Sequence, residues 1–478
     1  MDKINFINQS TAISLIIIVS IIFTIFGLVY SKKHQGINNY LTANRNIDFY
    51  SLSTSLVASA LGAWILFGPA SAATWGGIGA VIGYALGTAF PMIFLIFLGK
   101  KIRNEFPKGS TLIEFLRKKF DKSLFKLVLL MTVFYMFVFL CAEVTAVAIL
   151  INYISGTELW ITALIILSGT LIYTLYGGLR ASIFTDNIQM IIILILFILS
   201  VVYLASFSGD QFSFSFINKK NPHLLSANYI PNYTAGLTFF IAVAATNLFH
   251  QGNWQRVYAA KNNIVLKKSL IFAFIIIIPI VLFMGFTGLV AVSVDQNIIP
   301  DLSFFSLLLK EQTEFLSFII IILGLSLTIS TVDTLVNAIS SLIIVDGKAT
   351  FNLNKKKNYL KLSKYFIIGL SIIAFIVASK GFSVLYLFLL ADLFCCAFVL
   401  TVFYSFYNKK FDEKTAFTSI VVGLIVGFLL FPTPDFSKSL LIGIMVPIEL
   451  FPTIISQSLL FISFLTATFI PMLIWRLK

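Results

Sequence analysis

Ala58-Ser59-Ala60-Leu61-Gly62-Ala63-Trp64-Ile65-Leu66-Phe67-Gly68-Pro69-Ala70-Ser71 lies inside an apolar run over residues 51–75. A run of that length crosses about 30 Å of hydrocarbon as a helix, yet Gly62, Gly68 and Pro69 interrupt the regular backbone pairing. In a bilayer, unpaired backbone groups are tolerated only where protein or a wet cavity satisfies them. The stretch therefore reads as a discontinuous helix lining a binding site, with a kinked packing helix as the competing reading.

The flanking sequence puts this run in a membrane. The chain is 59% hydrophobic and 11% charged, whereas soluble domains average about half apolar and about a quarter charged. Hydropathy predicts an all-α membrane protein with about thirteen spans, at roughly 11–30, 51–75, 78–99, 124–153, 160–176, 183–206, 234–252, 270–294, 315–345, 365–379, 383–407, 415–431 and 457–475. Pro447, Glu449 and Pro452 interrupt a further apolar segment, 439–455, which reads as re-entrant or interfacial rather than as a span. The first run, Thr11 to Tyr30, continues into Ser31-Lys32-Lys33 with no small-residue cleavage site, so it reads as a retained helix.

The net charge of +14 follows the membrane. Basic clusters at Lys100-Lys101-Ile102-Arg103, Lys267-Lys268 and Lys355-Lys356-Lys357 fall after spans three, seven and nine, and the loops on one face hold most of the 34 Lys and Arg residues. The positive-inside rule then sets the N-terminus outside and the C-terminus in the cytoplasm of a cell inner membrane. These loops suit anionic lipid head groups. They lack interleaved aromatic platforms, which excludes nucleic acid. Cys141, Cys395 and Cys396 all sit in apolar runs and read as small packing residues. With only His34, His223 and His250 available and no nucleophile paired to a base, the chain does not read as an enzyme.

Ionisable residues within spans mark candidate chemistry. Glu143, Asp186, Asp333 and Asp392 are all acidic, and no Lys or Arg falls at the middle of a span to neutralise them. A mobile cation, metal ion or proton, is the expected source of the missing charge, with protonated and hydrogen-bonded packing as the alternative. Ser326-Leu327-Thr328-Ile329-Ser330-Thr331-Val332-Asp333-Thr334 places hydroxyls and a carboxylate on successive turns of one span. Such oxygens, with unwound carbonyls, suit sodium. Thr246-Asn247-Leu248-Phe249-His250-Gln251-Gly252-Asn253-Trp254 ends another span as either a matching break or a solvated helix end. Gly177-Gly178 permit a tight turn that leaves Asp186 one turn into the next span.

Gly177-Gly178, Ala181, Thr185-Asp186 and Gln189 make up a pattern that resembles the sodium:solute symporter family, the group of proline, pantothenate, sugar and sialic acid symporters. Trp254-Gln255-Arg256 with Ala259-Ala260-Lys261, and Ser330-Thr331 followed by Asp333, Ser340 and Asp346, extend the resemblance in order along the chain. It implies a LeuT-type core: a leading helix at 11–30, two inverted five-helix repeats at 51–206 and 234–407, and C-terminal helices over 415–475. Five is odd, so the charge-based topology requires the same inversion.

By resemblance, co-transported sodium would be held by the hydroxyls of Ser330 and Thr331 and the carbonyls of Ala58, Leu61 and Leu327. Asp186 and Asp333 would belong to a second cation position, although Asp333 stands where some members carry serine. Trp64, Ile65, Phe67, Gly68, Asn247 and His250 are the candidate residues for a small-molecule solute. Ile65 replaces a glutamine of sugar-carrying members, which weakens a sugar and leaves an amino acid, a carboxylate or a urea-like compound open. The expected function is sodium-driven symport by alternating access. Proton coupling is the first alternative. A receptor of the same fold is the second, and nothing follows Lys478 to carry a signalling module.

Overall fold

The chain is described from a computed structural model that covers residues 6–120, 122–207, 209–310, 313–350, 358–407, 412–434, 438–439, 441 and 453–476. The long helices are α1 (Gln9–Lys32), α2 (Phe49–Ala60), α3 (Gly68–Glu105), α4 (Lys122–Ser155), α5 (Leu159–Phe207), α6 (Ile230–Phe249), α7 (Gln251–Ala259), α8 (Asn263–Val294), α9 (Glu314–Leu342), α10 (Tyr359–Ala378), α11 (Val384–Tyr404), α12 (Glu413–Leu430) and α13 (Thr453–Arg476).

Among the described residues, nine helices are long and apolar enough to cross a membrane by length and composition. The difference from thirteen expected spans has local causes. Expected spans five and six are two arms of α5, which bends sharply at Gly178, where φ is 64°. The end of span two and all of span three form α3, bent in the same way at Gly77, where φ is 61°. Only glycine adopts this conformation without strain. Span seven divides into α6 and α7. Of segment 439–455, most lies outside the described residues.

The break expected in span two is observed. After α2, which Asp48 caps by accepting the Ser51 N–H, Leu61 takes φ −107° and ψ 85° and Gly62 is extended. Ala63–Leu66 form one 3-10 turn before Pro69 starts α3 at its first turn. The second break lies at His250, with φ −60° and ψ 105° between α6 and α7.

Small residues set how these helices approach. A Cβ on Gly79 or Gly83 would overlap the backbone of Asn232 or Gly236, and one on Gly87 would meet the Phe239 carbonyl at 2.7 Å. The four-residue spacing puts one bare stripe of α3 against α6, as expected where helices associate without a hydrophobic driving force. α9 is the most buried span, with 83% of its apolar window inside the protein. Outward side chains such as Phe97, Leu130, Ile195 and Ile275 stay exposed, as hydrocarbon-facing residues do.

Candidate ion and solute sites

The break after α2 leaves backbone N–H groups without helical partners, and Glu143 of α4 supplies one. Its carboxylate accepts from the N–H of Ala63 at 2.8 Å and of Trp64 at 3.5 Å. Buried amides left unpaired in hydrocarbon cost several kcal/mol each, so Glu143 holds the break open as a cap. A Cβ at Gly62 would overlap the Glu143 carboxylate and would meet Thr331 Oγ1 at 2.8 Å. Thr331 therefore faces the break directly.

The expected sodium ligands meet in part at this point. Leu61 donates its N–H to the carbonyls of Val57 at 3.0 Å and Ala58 at 3.3 Å. Thr331 Oγ1 donates to the Leu327 carbonyl at 3.2 Å. Each of these oxygens keeps a lone pair beyond that bond. Ser330 donates its hydroxyl proton to Asp186 Oδ1 at 2.6 Å, and its oxygen keeps lone pairs for a cation. The donor set is all oxygen, as a hard monovalent cation requires.

The expectation that no basic group neutralises the interior acids is overturned at Asp186. Arg256 Nη2 lies 2.7 Å from Asp186 Oδ2, and both side chains are fully buried. Ser55 Oγ donates to the same carboxylate oxygen at 2.5 Å and accepts from Arg256 Nε at 2.7 Å. Arg256 also donates to Thr334 Oγ1 at 2.9 Å and to the Gly252 carbonyl at 3.1 Å. Arg256 sits on α7, beyond the break, where hydropathy reads a polar helix end. The break instead folds this end inward.

Asp333 is solvated by hydroxyls. Tyr173 donates at 2.6 Å, Ser182 at 2.7 Å and Thr185 at 3.1 Å. Thr334 adds a weaker contact at 3.4 Å, and through it Asp333 is joined to Arg256 and Asp186. No Lys or Arg lies within ion-pair distance of Asp333 among the described residues.

A cavity opens between the two breaks. Trp64 lines it from the first, Thr246, Asn247 and His250 from the second. Tyr84, Phe139, Phe388 and Asp392 line it as well, with Ser59, Ala60 and Val243 between them. The candidates Ile65, Phe67 and Gly68 lie outside this lining. The tight turn rotates them away: Phe67 packs edge-on to Phe305 at 4.9 Å between centroids, and Gly68 presses against the Tyr84 hydroxyl. Trp64 stacks on Tyr84 at 5.5 Å. Hydropathy marks Asp392 as an interior acid, and only the fold brings it to this cavity, because it lies on α11, far along the chain. Thr246 belongs to the polar cluster that ends α6, and spacing gives no sign of its 2.5 Å bond to Asp392 Oδ1.

The profile of the sodium:solute symporter family matches residues 40–423. The chain is similar to a spermidine transporter of Candida albicans, 27% identical over 85% of this chain and 77% of that one. It is also similar to sodium/glucose cotransporter 1 of Ovis aries, 31% identical over 40% of this chain, an alignment that spans 29% of the cotransporter's length. Among solved structures, a substrate-bound, outward-open sodium-coupled sialic acid symporter superposes with a TM-score of 0.73 at 16% identity, covering 98% of this chain and 96% of that one. Mhp1, a nucleobase-cation-symport-1 family transporter solved in a closed conformation, superposes with a TM-score of 0.52 at 15% identity, over 93% and 95%.

Proposed function

The chain belongs to the sodium:solute symporter family and is a sodium-driven transporter rather than an enzyme; from that premise we propose how its residues divide the work. Sodium binds at the break after α2, to the carbonyls of Ala58, Leu61 and Leu327 and the hydroxyls of Ser330 and Thr331. The solute binds in the cavity behind Trp64. Residues 51–206 and 234–407 form the inverted repeats that rock against one another in alternating access.

The observation that carries this reading is that both sites share one break. Gly62 abuts Thr331, and two residues on, Trp64 walls the cavity. An ion that fixes the break in one shape then biases the shape of the solute cavity, which is the differential binding that coupling requires. Arg256 supplies at Asp186 the charge a second cation would bring, so Asp333 is the remaining acid for a second cation position. The N-terminus lies outside and the C-terminus in the cytoplasm of the inner membrane, where the basic loops meet anionic lipid.

Thermal unfolding of the purified protein tests the sodium half. Sodium chloride should raise the midpoint above that in potassium chloride at equal ionic strength, since a ligand of the folded state stabilises it. Identical midpoints across a sodium titration would remove the proposed ion site.

A further inference from the structure

Asp392 is the one acidic residue on the cavity wall, and no Lys or Arg side chain lines that cavity among the described residues. Its Oδ1 accepts from Thr246, while among the described residues no hydrogen bond engages Oδ2. A carboxylate in this position is costly in a membrane interior unless a cation or a proton meets it. Four aromatic rings surround the same space: Trp64, Tyr84, Phe139 and Phe388. Tyr84 stacks on both Trp64 and Phe239, and this apolar lining offers sodium, which prefers a full oxygen shell, little.

Two further side chains on the wall offer acceptors. Asn247 Nδ2 donates to the Val243 carbonyl at 3.0 Å, and among the described residues nothing donates to its amide oxygen. The His250 imidazole lines the cavity with no hydrogen-bond partner among the described residues. Asp392, Asn247 and His250 therefore supply three acceptors, matching the three N–H donors of a primary ammonium. A carboxylate solute would bring an anion to a wall with no side-chain cation among the described residues, and an amino acid would bring one beside its ammonium.

We propose that the transported solute carries a primary ammonium group, held by Asp392 with Asn247 and His250 in the cavity that Trp64, Tyr84, Phe139 and Phe388 line. This rests on the cavity being the solute site of the symporter, and deepens that reading by naming the solute's chemistry.

Four probes of one shape decide it: butylamine, butyltrimethylammonium, butanol and butyrate, each titrated into the purified full-length protein in sodium chloride, with thermal midpoint and tryptophan fluorescence as readouts. Butylamine should shift both, and the other three should shift them at least about tenfold less at equal concentration, a tenfold ratio being a modest discrimination for a buried charged partner. Asp392→Asn should raise the half-saturating butylamine concentration by about tenfold or more. Equal responses to butylamine and butanol, or an unaltered butylamine response in Asp392→Asn, would overturn the ammonium site. A matching response to butyltrimethylammonium would overturn the three-acceptor arrangement. Should Asp392→Asn fail to fold, the probe series on the unaltered protein decides alone. The sodium titration without any amine is read separately, so loss of the sodium response with a retained amine response would sink the ion site and leave the ammonium site standing.

Discussion

Arg256 and Asp186 meet at 2.7 Å with both side chains fully buried, one from the half-helix α7 and the other from the second arm of α5. A pair formed across two helices in a low-dielectric interior is costly to break from one side, because the survivor keeps its charge without a partner. Arg256→Met should lower stability by about 3–5 kcal/mol, whereas Arg256→Met combined with Asp186→Asn should recover part of that loss. Denaturant unfolding in detergent measures both. Strict additivity of the two single changes would show that the contact contributes no coupling.

Ser330→Ala and Thr331→Ala each remove one oxygen from the proposed sodium set and little volume. Both should raise the sodium concentration that half-saturates uptake in reconstituted vesicles. Ser330→Ala should also lower stability, by about 1–3 kcal/mol, because its hydroxyl donates to the Asp186 carboxylate. Unchanged sodium dependence in both variants would sink their assignment.

Asp333 reaches Arg256 through Thr334, since Thr334 Oγ1 contacts both. Asp186→Asn and Asp333→Asn should therefore act non-additively on sodium affinity, with an interaction energy on the order of 0.5–3 kcal/mol. Sodium titrations of the two variants and the double variant at fixed membrane potential give the cycle. Near-normal affinity in all three would leave both aspartates with structural roles only.

Gly62→Ala should be poorly tolerated. The added methyl would overlap the Glu143 carboxylate and crowd Thr331 Oγ1 at 2.8 Å, so either the cap on Ala63 or the Thr331 hydroxyl must move. A loss of about 1–3 kcal/mol together with a raised sodium requirement is expected. A Gly62→Ala protein with ordinary uptake would mean that the break tolerates a change of shape and does not couple the sites.

Asn358 caps the start of α10 by accepting the Lys361 N–H at 3.2 Å, next to the Lys355-Lys356-Lys357 cluster. A single cysteine there should resist a membrane-impermeant thiol reagent in intact cells and react once the membrane is permeabilised. Labelling in sealed cells would reverse the proposed topology.

The membrane setting and the broken helix were legible from residues 58–71, because lipid leaves an apolar run with Gly62, Gly68 and Pro69 few structural choices. The turn at Gly178 was legible for a similar local reason, since paired glycines license a backbone that other residues resist. Hydropathy also marked Asp186, Asp333 and Asp392 as interior, but it could not say what each one faces. Arg256 lies 70 residues from Asp186, on a polar segment that a window average assigns to solvent, and only the inward fold of α7 joins them. The same holds within one turn of helix: Trp64 faces the cavity while Ile65 and Phe67 turn away, because the 3-10 geometry of Ala63–Leu66 sets each direction. Local sequence determined where the backbone must break, and long-range packing decided which side chains the breaks bring together, since the single polar contacts that join Arg256 to Asp186 and Thr246 to Asp392 leave no periodic signature in the helices that carry them.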